Sequence, residues 1–218
     1  MDVIDAIRAD KVVAVIRADR VADPAGLVAT LVDAGIRCVE FTFTTPGVLD
    51  AIREAAETGN GIVGAGTVLR PEQADQAIAA GAQFVVSPVV RTDLAHACVE
   101  HRVPVFLGAL SPTEVLEARE AGVTAVKLFP ASLGGPSYLK DLRAPFPDIT
   151  FLPSGGIDEE AARAFLAAGA AGVYVGSRVA PPDLVANGQH KEVLRRAQAF
   201  VAALGEPPLE SDPGRPPS

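Results

Sequence analysis

The chain has 218 residues, enough for one mid-sized domain, and hydrophobic residues make up 49% of it, ample for a large core. Lys and Arg number 19 against 27 Asp and Glu, a formal charge of −8 without a basic run, which excludes a nucleic-acid backbone as partner. No apolar run reaches the ~18 residues of a membrane span and no charged-then-apolar leader opens the chain, so a soluble cytoplasmic protein without membrane association is expected.

Taken in chain order, a short helix over 2–8 comes first and would cap the bottom of the fold. Short β-branched runs then recur at 12–16, 38–43, 61–65, 84–86, 103–107, 123–129, 149–152 and 172–175. Between them lie Ala-, Leu- and Glu-rich stretches with helical spacing, as at 24–34, 71–80 and 158–168, with a closing helix near 191–204. Helix starts are marked by Asp23-Pro24, Arg70-Pro71, Ser111-Pro112 and Ile157-Asp158. Helix ends repeat as Ala34-Gly35, Ala80-Gly81, Ala121-Gly122 and Ala168-Gly169, where glycine admits the left-handed cap. Cys38 and Cys98 stand far apart in apolar segments and read as reduced, buried thiols. From Pro207 the chain has five prolines in twelve residues, so 206–218 is expected to be a disordered tail and 1–205 a single catalytic domain.

Eight βα units suit either a closed eight-stranded barrel or an open doubly wound sheet. The first βα turn, Ile16-Arg17-Ala18-Asp19, lacks the glycine fingerprint of a dinucleotide-binding fold. The expected fold class is therefore α/β, a (β/α)8 TIM barrel.

Chemistry in such a barrel collects at the C-terminal strand ends, which here carry a polar group or a glycine on nearly every strand. Lys127 is one of only four lysines, and it alone lies inside an apolar strand, Ala125-Val126-Lys127-Leu128-Phe129. Alternation turns Ala125, Lys127 and Phe129 toward the barrel axis. Burial would lower its pKa and free an amine that attacks carbonyls, unless the side chain merely snorkels to the rim. Glu40 ends the run Cys38-Val39-Glu40 and needs a buried partner, which Lys127 would supply; it is a general acid/base or half of a structural ion pair. Arg17 is either a surface charge or the fork for a substrate carboxylate, with the Thr67 hydroxyl after Gly64-Ala65-Gly66 sharing that group. Ser154-Gly155-Gly156 and Gly176-Ser177 fall in the two loops where barrels hold phosphate, although turn chemistry also selects glycine. His96, His101 and His190 lie away from the strand ends, so no metal is expected.

These residues resemble the class I 2-keto-3-deoxy-6-phosphogluconate (KDPG) aldolases, often paired with 4-hydroxy-2-oxoglutarate aldolase activity, over about residues 11–204. The segments that carry the likeness are VAVIRA at 13–18, VEFTFTTP at 39–46, GAGTVL at 64–69, FVVSP at 84–88, KLFPAS at 127–132, LPSGGI at 152–157 and VGS at 175–177. The resemblance implies that Lys127 forms the Schiff base, Glu40 is the acid/base residue and Thr67 binds near the pyruvate carboxylate. It implies that Pro88 and Phe129 shape the pocket and that the glycine loops with Ser177 hold the substrate phosphate. It further implies pyruvate and glyceraldehyde 3-phosphate as products, no metal or other cofactor, and a homotrimer. Three departures stand out. Thr44 occupies a position where many members place an arginine, so Arg17 would carry the carboxylate clamp. Leu107-Gly108-Ala109-Leu110 replaces a Pro-Gly, and Ser154 replaces a threonine. The corresponding phosphogalactonate aldolases would share every residue named, and a non-catalytic barrel would have lost them.

Overall fold

In the computed structural model, which describes residues 2–205, eight parallel strands alternate with helices and close into a barrel. The strands are β1 (Val12–Ile16), β2 (Cys38–Thr42), β3 (Ile62–Gly66), β4 (Phe84–Ser87), β5 (Val105–Ala109), β6 (Ala125–Leu128), β7 (Phe151–Pro153) and β8 (Val173–Val175). Their ladder order is β7-β6-β5-β4-β3-β2-β1-β8. The seam between β7 and β8 is joined by a bridge from Ser154 to Tyr174 and by Ala171 N–H donating to the Phe151 carbonyl at 3.1 Å. The α/β (β/α)8 barrel expected from the sequence is the observed fold. The tail expected at 206–218 lies outside the described residues.

The helices are α1 (Val3–Asp10), α2 (Pro24–Asp33), α3 (Val48–Glu57), α4 (Pro71–Ala79), α5 (Thr92–Glu100), α6 (Pro112–Glu120), α7 (Gly135–Arg143), α8 (Glu159–Ala167), α9 (Pro182–Ala186) and α10 (His190–Leu204). Their ends follow local chemistry. Ser111 forms a capping box with Glu114, while the Asp23 and Asp158 carboxylates accept from the backbone N–H of Gly26 and Ala161. Gly35, Gly81, Gly122 and Gly169 take positive φ after their helices, as their spacing predicts.

Some boundaries differ from the sequence reading. The apolar runs at 103, 123 and 149 enter the ladder two residues later, at Val105, Ala125 and Phe151. Val103, Val123 and Ile149 pack on the outer core instead, and the N–H of Val103 folds back to the Cys98 carbonyl at 2.9 Å. Hydrophobicity alone does not separate a strand from the turn that feeds it. The five-residue α9 also has no counterpart in the sequence reading, because one helical turn shows no periodicity.

The core has two layers. Outward strand residues such as Val39, Val85, Leu107, Val126 and Val175 pack on the helices. Inward residues Val13, Cys38, Phe84, Val86, Phe106, Ala125, Leu152 and Tyr174 fill the lumen together with Val3, Ile4 and Ile7 of α1. As expected, α1 therefore plugs the bottom. Toward the C-terminal end the inward positions become glycine: Gly64 and Gly66 on β3, and Gly108 on β5. At each of these three positions a neighbour fills the space of a Cβ: the Phe84 ring at Gly64, the Glu40 carboxylate at Gly66 and Pro88 at Gly108.

Gly64 is fixed by this gradient, since a Cβ there would stand 2.3 Å from the Phe84 ring, whose centroid is 5.7 Å from that of Phe106. Gly64→Ala is expected to overpack the lumen and to lower stability by about 1–3 kcal/mol. The urea midpoint measures this, and adding Phe84→Leu should recover part of the loss.

Candidate active site

Lys127 on β6 and Glu40 on β2 enter the lumen from opposite walls. Each occupies an inward position, with Val126 and Leu128, or Val39 and Phe41, turned to the helices. Lys127 is 7% exposed and Glu40 is fully buried, and Nζ stands 3.7 Å from Oε2. That separation makes an ion pair but exceeds a hydrogen bond. Among the described residues neither carboxylate oxygen has a hydrogen-bond partner. The carboxylate is accommodated by Gly66, where a Cβ would lie 1.8 Å from Oε1. A glycine on β3 is thus the condition for a glutamate on β2.

Two rings flank the amine. Tyr174 on β8 places its ring centroid 4.5 Å from Nζ, and Phe129 places its own at 5.9 Å. Phe129 is partly exposed at the mouth, whereas Tyr174 is buried, its hydroxyl without a partner among the described residues.

Burial dominates the acid–base behaviour of the pair. Desolvation pulls the Lys127 pKa below its ordinary value; Glu40 opposes this and Arg17 reinforces it. Desolvation likewise lifts the Glu40 carboxyl, against the charges of Lys127 and Arg17. Both shifts run the same way, toward a free amine beside a protonated acid. A pair shifted this way can offer a nucleophile beside a proton donor.

Arg17 lies one residue beyond β1, exposed at the mouth, and its Nη2 donates to Thr67 Oγ1 at 3.2 Å. Thr67 has φ 55°, a left-handed conformation that a β-branched residue adopts only under tertiary constraint. Thr44 is set in a hydroxyl cluster: its Oγ1 is 3.0 Å from that of Thr42, which donates to the Ile16 carbonyl at 3.1 Å. The Thr45 hydroxyl accepts from Ala18 N–H at 3.3 Å, so both residues flanking Arg17 are tied to the end of β2. Pro88, after β4, presses on Gly108, whose Cβ would meet its carbonyl at 2.2 Å; Gly108 is the ladder neighbour of Lys127.

The loops after β7 and β8 form one wall of a cleft of about 490 Å³, lined by Ser154, Gly155, Gly156, Gly176, Ser177, Asp158, Arg178, Val15 and Tyr174 among others. Gly155 and Gly156 both have positive φ, at 98° and 71°. The five residues expected to hold phosphate are therefore gathered in one place. Tyr174 links this cleft to Lys127.

The family model described as KDPG and KHG aldolase matches residues 3–196. The chain belongs to that family. It is 37% identical to the 2-dehydro-3-deoxy-phosphogluconate aldolase of Treponema pallidum, covering 93% of this chain and 98% of the relative. It is 36% identical to the 2-dehydro-3-deoxy-6-phosphogalactonate aldolase of Escherichia coli, covering 82% and 87%. Among solved structures, a KDPG aldolase from Legionella pneumophila, with pyruvate captured as a covalent carbinolamine, superposes with TM-score 0.81 at 30% identity. That match covers 90% of this chain and 97% of the other.

In this KDPG and KHG aldolase family member, three residues at the site were not singled out from the sequence. Tyr174 carries an available signal, because it is the inward residue of Val173-Tyr174-Val175. Asp158 was noted only as a helix start, and Arg178 lies in a loop whose direction no periodicity encodes.

The Glu40 charge raises the Lys127 pKa, so removing it should lower that pKa further. Glu40→Gln is expected to move the midpoint of Lys127 amine reactivity toward lower pH. A small amine-directed reagent, with modification followed by mass across a pH series, measures it.

Proposed function

We propose that this chain is a class I aldolase that cleaves 2-keto-3-deoxy-6-phosphogluconate to pyruvate and glyceraldehyde 3-phosphate. The observation that carries the reading is the buried Lys127–Glu40 pair, 3.7 Å apart at the mouth of the barrel. The carbinolamine that pyruvate forms in the Legionella structure supports covalent chemistry of this kind.

Lys127 Nζ attacks the C2 carbonyl, and its proton passes to the oxygen to give a carbinolamine. Protonated Glu40 then gives its proton to that hydroxyl, which leaves as water, and an iminium remains. Glu40, now a carboxylate, takes the C4 hydroxyl proton. The C3–C4 bond breaks, its electrons form an enamine, and the aldehyde departs. Glu40 returns the proton to the enamine carbon, then accepts one from the water that attacks the iminium. Collapse of that adduct frees pyruvate and restores the amine and the acid. One carboxyl group thus alternates between acid and base.

Arg17 and the Thr67 hydroxyl bind the keto acid carboxylate, which explains why this guanidinium is fixed at the mouth. Phe129, Thr44 and Pro88 border the reacting carbons. Ser154, Gly155, Gly156, Gly176 and Ser177 receive the phosphate at the far end, where positive-φ glycines turn backbone N–H groups toward an anion. The same machinery would cleave 4-hydroxy-2-oxoglutarate to pyruvate and glyoxylate. The family resemblance further suggests a homotrimer without metal or cofactor, working in the cytoplasm; among the described residues no helix is long and apolar enough to cross a membrane.

A second reading, the C4-epimeric phosphogalactonate substrate, is favoured by the near-equal identity to the Escherichia coli enzyme, 36% against 37%. Coupled assays on the two epimers separate them.

Incubation with pyruvate and borohydride is expected to leave an N-(1-carboxyethyl) group on Lys127, and Lys127→Ala should neither trap pyruvate nor turn over substrate. An unmodified Lys127 in the peptide map refutes the covalent mechanism. Glu40→Gln should trap pyruvate more slowly, since the iminium then forms without its proton donor, while kcat falls by about 10²- to 10⁴-fold.

A further inference from the structure

The cleft between the β7 and β8 loops has a feature that the glycine loops do not explain. Among its described lining residues, Arg178 is the one cation and Asp158 the one acid. Asp158 is committed, since its Oδ1 accepts from Ala161 N–H at 2.8 Å as the N-cap of α8. It places a negative charge at the end of the helix whose dipole would otherwise favour an anion. Backbone N–H groups are neutral, so they do not cancel that carboxylate when a phosphomonoester arrives with its own charge.

Arg178 is positioned to do so. It directly follows Ser177 in the β8 loop, and its Nη2 donates to Glu159 Oε2 in the first turn of α8. Both side chains of this pair are substantially exposed, at 55% and 34%. An exposed pair of this kind contributes little to stability and is easily exchanged. A guanidinium binds a phosphate through two parallel N–H donors, which replace the bond given up to Glu159.

We propose that Arg178 is the specificity determinant for the phosphate: it passes from Glu159 to the substrate phosphate, and this transfer sets the preference for phosphorylated over unphosphorylated keto acids. Glu159 is the counterweight, competing with substrate for the same guanidinium. The proposal rests on the aldolase reading and adds to it the origin of phosphate selectivity.

The test compares kcat/KM for 2-keto-3-deoxy-6-phosphogluconate with that for unphosphorylated 2-keto-3-deoxygluconate, using the full chain and its variants. Arg178→Ala is expected to lower the ratio by about ten- to a hundredfold, the loss of charge-assisted bonds to one anion, through KM and not kcat. Arg178→Lys should recover part of the ratio, since it keeps the charge without the fork. Glu159→Gln should raise the ratio and strengthen inhibition by inorganic phosphate. Pyruvate trapping on Lys127, which needs no phosphate, reports that each variant is folded. A ratio unchanged in Arg178→Ala overturns the role of the arginine, and one unchanged in Glu159→Gln overturns the exchange. Wild-type protein that neither traps pyruvate nor prefers the phosphorylated substrate refutes the aldolase reading itself, so the two failures are distinguishable.

Discussion

An amine and a carboxyl group stand buried in the upper lumen of a barrel, 3.7 Å apart, and among the described residues neither carboxylate oxygen has a hydrogen-bond donor. In a low-dielectric interior this is an expensive arrangement, because Coulomb attraction only partly offsets the desolvation of two charges. Replacing such a pair by apolar side chains is commonly neutral or stabilising, so stability alone gives no reason to keep it. What burial supplies is a Lys127 pKa pulled down and a Glu40 pKa pushed up, both by desolvation and both toward the uncharged forms. Much of the upper barrel follows from housing this pair: Gly66 clears the carboxylate, Gly108 stands beside Lys127 in the ladder, and Tyr174 lays its ring against the amine.

That housing depends on a gradient along the lumen. Phe84, Phe106, Leu152 and the α1 side chains Ile4 and Ile7 fill the lower part as a solid core. The glycines above them give up the space of a Cβ to larger neighbours: the Phe84 ring at Gly64, the Glu40 carboxylate at Gly66 and Pro88 at Gly108. The solid lower packing leaves the upper half free to give that space to a buried carboxylate and its surroundings. Thr67 shows the same division on a smaller scale. A glycine would adopt its left-handed backbone with less strain, yet only a hydroxyl accepts from Arg17 there.

How much of this was legible in the chain follows the range of each interaction. Strand parity is local, so the sequence alone places Ala125, Lys127 and Phe129 on the axis and Val126 and Leu128 outside it. The meeting of Lys127 and Glu40 was also readable, since two charged residues inside apolar strands of one barrel have few other partners. The reason for Gly66 was not. It depends on a rotamer of Glu40 on the neighbouring strand, which no local pattern encodes. Tyr174 was readable in principle from the alternation of β8 but looked like one more core aromatic. Arg178 was not readable at all, because its direction is set by the partner it finds on α8. The strand starts at Val105, Ala125 and Phe151 were misplaced by two residues for a related reason: the apolar residues before them serve the outer core without joining the ladder.

The charge pattern of the mouth closes the argument. A chain with net charge −8 repels anions at long range, so an anionic substrate must be recognised at short range by a few placed donors. Arg17 supplies such a donor next to the Lys127–Glu40 pair, and the β7 and β8 loops supply another set in the adjoining cleft. Each cation is already engaged, Arg17 by a hydroxyl and Arg178 by a carboxylate. The two partners are not equivalent. Thr67 orients its arginine without neutralising it, so the full charge remains available to a carboxylate and continues to depress the Lys127 pKa. Glu159 does neutralise its arginine, so an anion in that cleft must displace a competitor of the same sign. Arg17 therefore keeps its full positive field beside the Lys127–Glu40 pair, while the field of Arg178 is balanced by Glu159 until another anion takes the carboxylate's place.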